Sequence, residues 1–161
     1  MIKRKRLTIL AVMLVLTLTF TAAAQAEVKN MVVLIGDGLG VGQMDMARYF
    51  KGGKDYKLEL MKLPHVGLMM TSSKDGVTDS AAAGTAIATG YKTKNEMVAM
   101  TPSGKEVHSI LDFAQARGKS TGIISTNKVN DATPATCAVS AKSRHDDAAI
   151  CRQIIENDVD V

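Results

Sequence analysis

Two rhythms of apolar and polar positions alternate along this chain. Met31-Val32-Val33-Leu34-Ile35, within residues 28–35, is an unbroken apolar run of the kind expected for a strand buried on both faces. Residues 66–71 and 120–126 carry a similar signature and are predicted as strands. Between them the spacing turns helical: residues 43–50, the alanine-rich run from Ser80, and residues 109–117. In the last of these, Ile110, Leu111, Phe113 and Ala114 have amphipathic spacing and Gly118 closes the helix. Residues 58–63 form a short apolar segment ended by Pro64. Residues 135–144 and 146–156 are predicted as two further helices, and residues 158–161 as the opening of another strand. Strands alternating with helices predict an α/β fold with a mainly parallel sheet. A chain that stops on a strand's opening residues is expected to be an incomplete domain.

The first residues follow neither rhythm. Lys3-Arg4-Lys5-Arg6 precedes an apolar stretch over residues 7–20, and Ala24-Gln25-Ala26 fits the small-x-small cleavage rule, so residues 1–26 are expected to be a signal peptide. The apolar stretch is shorter than the roughly 20 residues of a spanning helix, which argues against a retained membrane anchor. Export to the periplasm or the medium is expected, leaving residues 27–161 as the folded part. This changes the charge balance. Four of the 20 lysines and arginines lie in residues 1–26, which hold no acidic residue, so the remainder carries 16 basic against 16 acidic groups. The basic pI therefore reflects the leader and argues for neither nucleic acid nor a membrane surface as partner.

Candidate chemistry gathers in three places. Thr78-Asp79-Ser80-Ala81-Ala82-Ala83-Gly84-Thr85-Ala86 puts a hydroxyl beside a carboxylate where a polar loop meets a run of good helix formers. Ser80 is thus a candidate nucleophile at a helix start, where unpaired N–H groups and the helix dipole favour an anion such as phosphate. Asp and Ser are also strong N-caps, so this run alone favours a plain cap. Gly36-Asp37-Gly38-Leu39-Gly40-Val41-Gly42 follows the first predicted strand. Its glycines do not meet the dinucleotide register G-x-G-x-x-G, because Val41 and Gln43 stand where the third glycine belongs. A carboxylate at the carboxyl end of a strand suits a metal ligand, with helix capping as the plainer alternative for Asp37. Asn130-Asp131-Ala132-Thr133-Pro134-Ala135 follows the third predicted strand, with Arg144 farther on.

The other candidates carry less. His65, His108 and His145 are scattered, without partners at ligand spacing, and Cys137 and Cys151 leave a disulfide or two thiols equally open. There is no histidine placed as a base and no G-x-S-x-G elbow, so an acyl-transfer serine hydrolase of carbon esters is disfavoured.

Taken together, Ile35-Gly36-Asp37-Gly38-Leu39-Gly40, Asp79-Ser80-Ala81-Ala82-Ala83-Gly84-Thr85-Ala86, and Asp131-Ala132-Thr133-Pro134-Ala135 with Ser143-Arg144 resemble bacterial alkaline phosphatase, in order and in spacing, over residues 28–161. The resemblance implies a three-layer α/β fold around a mainly parallel sheet, incomplete at the C-terminus. It implies metal-dependent hydrolysis of phosphate monoesters through a phosphoserine on Ser80, with zinc and magnesium as cofactors. Asp37 would bridge a zinc and a magnesium ion, with Ser80 also at the metal; Asp131 and Thr133 would belong to the magnesium site; Arg144 would hold phosphate oxygens, oriented by Asp79. The full-length protein is allowed to be a homodimer. Most zinc ligands of the family lie beyond this chain's length, so the chain alone is expected to be inactive. A non-catalytic truncated remnant is the alternative.

Overall fold

The computed structural model describes residues 28–161; the expected signal peptide lies outside them. The chain divides at Gly36 into two units, the second being Asp37–Val161. Residues 28–36 are exposed and belong to no strand ladder among the described residues, where a strand buried on both faces was expected over residues 28–35.

The second unit is built from α1 (Val41–Gly52), a 3-10 turn (Glu59–Lys62), α2 (Ser80–Thr89), α3 (Ile110–Gln115), α4 (Ala132–Ala135) and α5 (Asp147–Glu156). Gln43 accepts a hydrogen bond from the Gly40 N–H at the start of α1 (3.1 Å). Asp79 caps α2, accepting from the Ala82 N–H at 2.9 Å, and Gly90 ends it at φ 78°. Ser109 and Asp112 form a reciprocal capping box on α3, and Gly118 follows the helix at φ 67°, the glycine stop the sequence led one to expect. No helix among the described residues is long and apolar enough to cross a membrane.

The core is made of small residues. Ala81, Ala132, Ala135, Ala138, Val139 and Ala141 gather with Val98 and Ile150 in one buried cluster. Helices α2 and α4 pack directly, and Gly84 shows how close they come: a Cβ there would lie 2.7 Å from Thr136 Oγ1, nearer than an ordinary contact. That closeness brings the first turn of α2 to the loop in front of α4.

Two further expectations are corrected. The helix predicted over residues 135–144 is instead the short α4, which begins at the Asp131 cap and ends at Ala135. Pro134 fits this early placement, since a first-turn N–H has no intrahelical acceptor to lose. Beyond it, competing partners take the backbone. Val98 and Ala141 exchange both N–H···O=C bonds at 2.9 Å, and Gln153 takes the N–H and C=O of Ser140 at 3.1 and 3.0 Å.

The second correction concerns residues 66–71, predicted as a strand, and residues 120–126, predicted as a buried one: residues 66–71 are exposed, Leu68 fully so, and within 120–126 Ile124 is 90% accessible while Thr121 is buried and Ile123 packs against the core. A parallel strand needs ladder partners at its edges and cover on its faces. The described residues form only isolated bridges and no ladder. Residues 158–161 do lie beside residues 121–123, with Asp160 N–H donating to Thr121 C=O (3.1 Å) and Ile123 N–H to Val161 C=O (2.6 Å).

Candidate functional site

The site begins at the turn after residue 36. Gly38 takes φ 67°, a left-handed conformation natural to glycine, and Asp37 beside it reaches two distant segments. Ser80 Oγ donates to Asp37 Oδ1 at 3.3 Å, and Thr133 Oγ1 donates to Asp37 Oδ2 at 2.9 Å. One carboxylate thus joins hydroxyls lying 43 and 96 residues away in sequence. The division of labour at α2 is also resolved: Asp79 is the cap, which leaves the Ser80 hydroxyl free for Asp37.

Arg144 stands between two other carboxylates. Its Nη2 donates to Asp131 Oδ1 at 3.0 Å, and its Nη1 lies 3.5 Å from Asp79 Oδ2. The second distance is long for a hydrogen bond but close enough for ion pairing. Asp131 Oδ1 also accepts from the Ala132 N–H (2.8 Å), and Asp131 Oδ2 from Asn127 Nδ2 (3.1 Å). The Ala132 N–H holds the Asp131 carboxyl below its ordinary range; burial opposes this, and the Arg144 and Asn127 side chains lower it further. Beside Arg144 opens a cleft of about 240 Å³ lined by Asn127, Lys128, Asn130, Asp131 and His145 among others.

All six residues singled out from the sequence, Asp37, Asp79, Ser80, Asp131, Thr133 and Arg144, fall into two adjoining clusters: Asp37–Ser80–Thr133 and Asp79–Arg144–Asp131. Thr133 and Asp131 are close neighbours at the start of α4, and Ser80 follows Asp79 at the start of α2, so the clusters share both helix starts. Sequence reasoning missed Asn127, which bonds Asp131, and Asn95 and Glu96, whose N–H and side-chain groups bond Asp79. Asn127 has no signal in the sequence. Asn95 ends the polar stretch Thr89-Gly90-Tyr91-Lys92-Thr93-Lys94-Asn95, which reads as an ordinary loop. His65, His108 and His145 make no contact with Asp37.

The donor set at Asp37 is oxygen alone: one carboxylate and two hydroxyls. Among the described residues no three His, Cys, Asp or Glu side chains converge on a metal position. Oxygen donors suit a hard cation such as magnesium, whereas zinc is usually completed by nitrogen or sulfur ligands. Cys137 and Cys151 are both free thiols and stand outside this site.

Beside the hard-oxygen donor set, a serine at a helix N-terminus and an arginine paired with the preceding aspartate are groups that could offer N–H donors and positive charge to an anion. The family model for alkaline phosphatase matches residues 28–160. Alkaline phosphatase 4 of Bacillus subtilis is 41% identical over 124 residues, covering 73% of this chain and 27% of that protein. The crystal structure of a cold-active alkaline phosphatase from a psychrophilic Shewanella superimposes with a TM-score of 0.74 at 36% identity, over 79% of this chain and 33% of that one. A variant of the alkaline phosphatase from the Antarctic bacterium TAB5, with Mg bound in its M3 site, gives a TM-score of 0.73 at 34% identity, over 78% of this chain and 36% of that one. The chain belongs to the alkaline phosphatase family and shares its fold. It spans about a quarter of the length of the curated relatives it matches.

Proposed function

We propose that the full-length protein hydrolyses phosphate monoesters through a phosphoserine formed on Ser80, with zinc and magnesium as cofactors. The observation that carries this reading is the Asp37 carboxylate, which joins the Ser80 and Thr133 hydroxyls at one point. Asp37 and Thr133 would hold magnesium, with Asp131 acting through water because its own oxygens already accept from Ala132, Arg144 and Asn127. Asp37 would also supply an oxygen to zinc, whose remaining ligands are not among the described residues. When bound, the metals lower the pKa of the serine hydroxyl and offset charge on the phosphoryl oxygens.

The chain's own residues do the rest. Asp37 accepts the Ser80 hydroxyl hydrogen bond and so aims the opposite lone pairs away from it. The N-terminus of α2 favours the anionic phosphoryl group arriving at Ser80. Arg144 offers a guanidinium fork to two phosphoryl oxygens, and Asp79 orients it. Attack by Ser80 Oγ forms the serine–phosphorus bond as the ester oxygen leaves as an alcohol; water then cleaves the phosphoserine to inorganic phosphate and restores the hydroxyl. A central, mainly parallel sheet flanked by helices, exported after loss of residues 1–26 and assembled as a homodimer, completes the proposal. Residues 27–161 are read as the N-terminal part of that domain and, by themselves, as inactive, because too few metal donors converge in them.

The discriminating assay compares an aryl phosphate with an aryl acetate as substrates of the full-length protein, before and after chelation. Phosphate release that is lost on chelation and restored by zinc and magnesium supports the proposal. Acetate release that survives chelation would contradict it, and a folded full-length protein with no phosphate release would favour the non-catalytic alternative.

A further inference from the structure

The polar segment after α2 is bonded to the site at more points than its sequence suggests. Asn95 Oδ1 accepts the Asp79 N–H at 3.3 Å while Asn95 Nδ2 donates to Val77 C=O at 3.0 Å, so one amide holds the chain on both sides of Thr78. The Asn95 N–H in turn donates to Asp75 at 2.8 Å. The Glu96 N–H donates to Asp79 Oδ2 at 2.9 Å, on the same oxygen that faces Arg144, and the Glu96 C=O accepts the Arg144 N–H at 2.8 Å. A single residue therefore bonds the carboxylate with one peptide group and the backbone of the arginine with the next.

That double reach has a conformational basis. Glu96 sits at φ 68° and Ala99 at φ 43°, two of the three non-glycine residues with positive φ among those described. Such conformations cost of order 1–3 kcal/mol and persist where the surroundings over-determine them. Between the two, the fully buried Thr85 donates to Met97 C=O at 3.1 Å and accepts the Ala99 N–H at 2.9 Å. Val98 pairs with Ala141, three residues before Arg144. Residues 95–99 are thus tied to the start of α2, to its middle, and to the segment that carries Arg144.

We propose that residues 95–99 form a positioning strap that sets Asp79 against Arg144, with Asn95 as the positioning residue. This rests on the reading of Arg144 as the phosphate clamp. Asp79 already spends Oδ1 on the helix cap, so the direction of Oδ2, and with it the orientation of the guanidinium, depends on the Asn95–Glu96 turn. Loss of the Asn95 amide frees both the Asp79 N–H and the Val77 C=O and lets that carboxylate swing. Ser80 and Asp37 are not bonded to the strap, so the effect falls on phosphate binding ahead of nucleophilic attack.

The test is a double-mutant cycle in the full-length, metal-loaded protein, read as KM, kcat, inhibition by inorganic phosphate and acid-trapped phosphoserine. Asn95→Ala is expected to raise KM and the phosphate inhibition constant about 10-fold, with phosphoserine still trapped on Ser80. In an Asp79→Ala background the same change is expected to add less than about 2-fold, since the strap acts through that carboxylate. Should Asn95→Ala fail to fold, Asn95→Ser keeps a hydroxyl acceptor in place of the amide and removes its reach to Val77 C=O without adding charge, and carries the same cycle. Multiplying effects in the double variant, or an unchanged phosphate inhibition constant in a folded single variant, would overturn the proposal. An Arg144→Ala protein with unaltered phosphate inhibition would instead remove the clamp, and the strap's role with it.

Discussion

Residues 80–89 and residues 66–71 are both apolar in sequence, yet the structure treats them in opposite ways. The first segment, mostly alanine with Gly84, Thr85 and Ile87, is buried against α4 and the Val98 cluster. The second, with the larger side chains of Val66, Leu68, Met69 and Met70, is exposed throughout. Bulk is therefore not what buries a segment here. Small residues let two helices approach until their backbones nearly touch, a contact completed between α2 and the four-residue α4. A strand gains burial only when ladder partners and covering layers surround it, and none lies among the described residues. The site lies on the side that closes locally. Ser80 and Thr133 meet Asp37 at the helix starts that the packing of α2 on α4 brings together.

The largest expected effect tests whether that local packing serves chemistry. Asp37→Asn in the full-length protein keeps the shape but removes the charge that receives both hydroxyls; kcat/KM for an aryl phosphate is expected to fall by about 1,000-fold or more, roughly 4 kcal/mol. A change of less than tenfold would detach the Asp37 cluster from function and leave α2 and α4 as a merely structural pair. Arg144→Ala comes next. Its kcat/KM is expected to fall by on the order of 10- to 1,000-fold with weaker phosphate inhibition, and Arg144→Lys to recover only part, since a point charge replaces a fork. Unchanged kinetics would make Arg144 a structural partner of Asp79 and Asp131.

Stability sharpens the comparison directly. Gly84→Ala puts a Cβ 2.7 Å from Thr136 Oγ1 and is expected to cost about 1–3 kcal/mol in urea denaturation of residues 27–161. In the same chain Leu68→Lys, on a fully exposed side chain, is expected to stay within about 0.5 kcal/mol. Equal losses would erase the distinction between the two regions.

The smallest effect is one of pH. The folded-state pKa of Asp131 lies below its unfolded value, so its contribution is present above the ordinary carboxylate range and is lost as pH falls through the depressed folded value. Between about pH 6 and about pH 3 the wild-type chain is expected to lose more stability than Asp131→Asn, as followed by denaturant midpoint. Parallel losses would mean that the Ala132 and Arg144 contacts do not bias the carboxyl.

What the sequence could tell followed the same divide. The helix at Ser80, the helix after Ser109 with its glycine stop at Gly118, and α5 were legible because each is decided by neighbours three or four residues away. The six candidate residues were singled out through three motifs whose roles came from the family resemblance, since each motif alone also fits plain helix capping. The helix expected over residues 135–144 was not, because Ala138 and Ala141 read as helix formers while Val98 and Gln153, far off in sequence, claim their backbone surroundings. The strands predicted at residues 66–71 and 120–126 find no ladder among the described residues, because pairing and burial depend on partners and not on the segment alone. Asn95 was missed for a similar reason: an asparagine in a polar loop looks like any turn residue until its amide is seen on both Asp79 and Val77.

The central claim is that Ser80 itself carries the phosphoryl group. Labelled phosphate or a labelled monoester is incubated with the full-length, metal-loaded protein, the reaction is stopped in acid, and the modified residue is located by peptide mapping. The account requires label on Ser80 in the wild-type protein and none in Ser80→Ala, which would retain at most slow direct hydrolysis. Acid-stable label trapped on the Ser80→Ala protein, or rapid turnover with no label on Ser80 in the wild type, would contradict it.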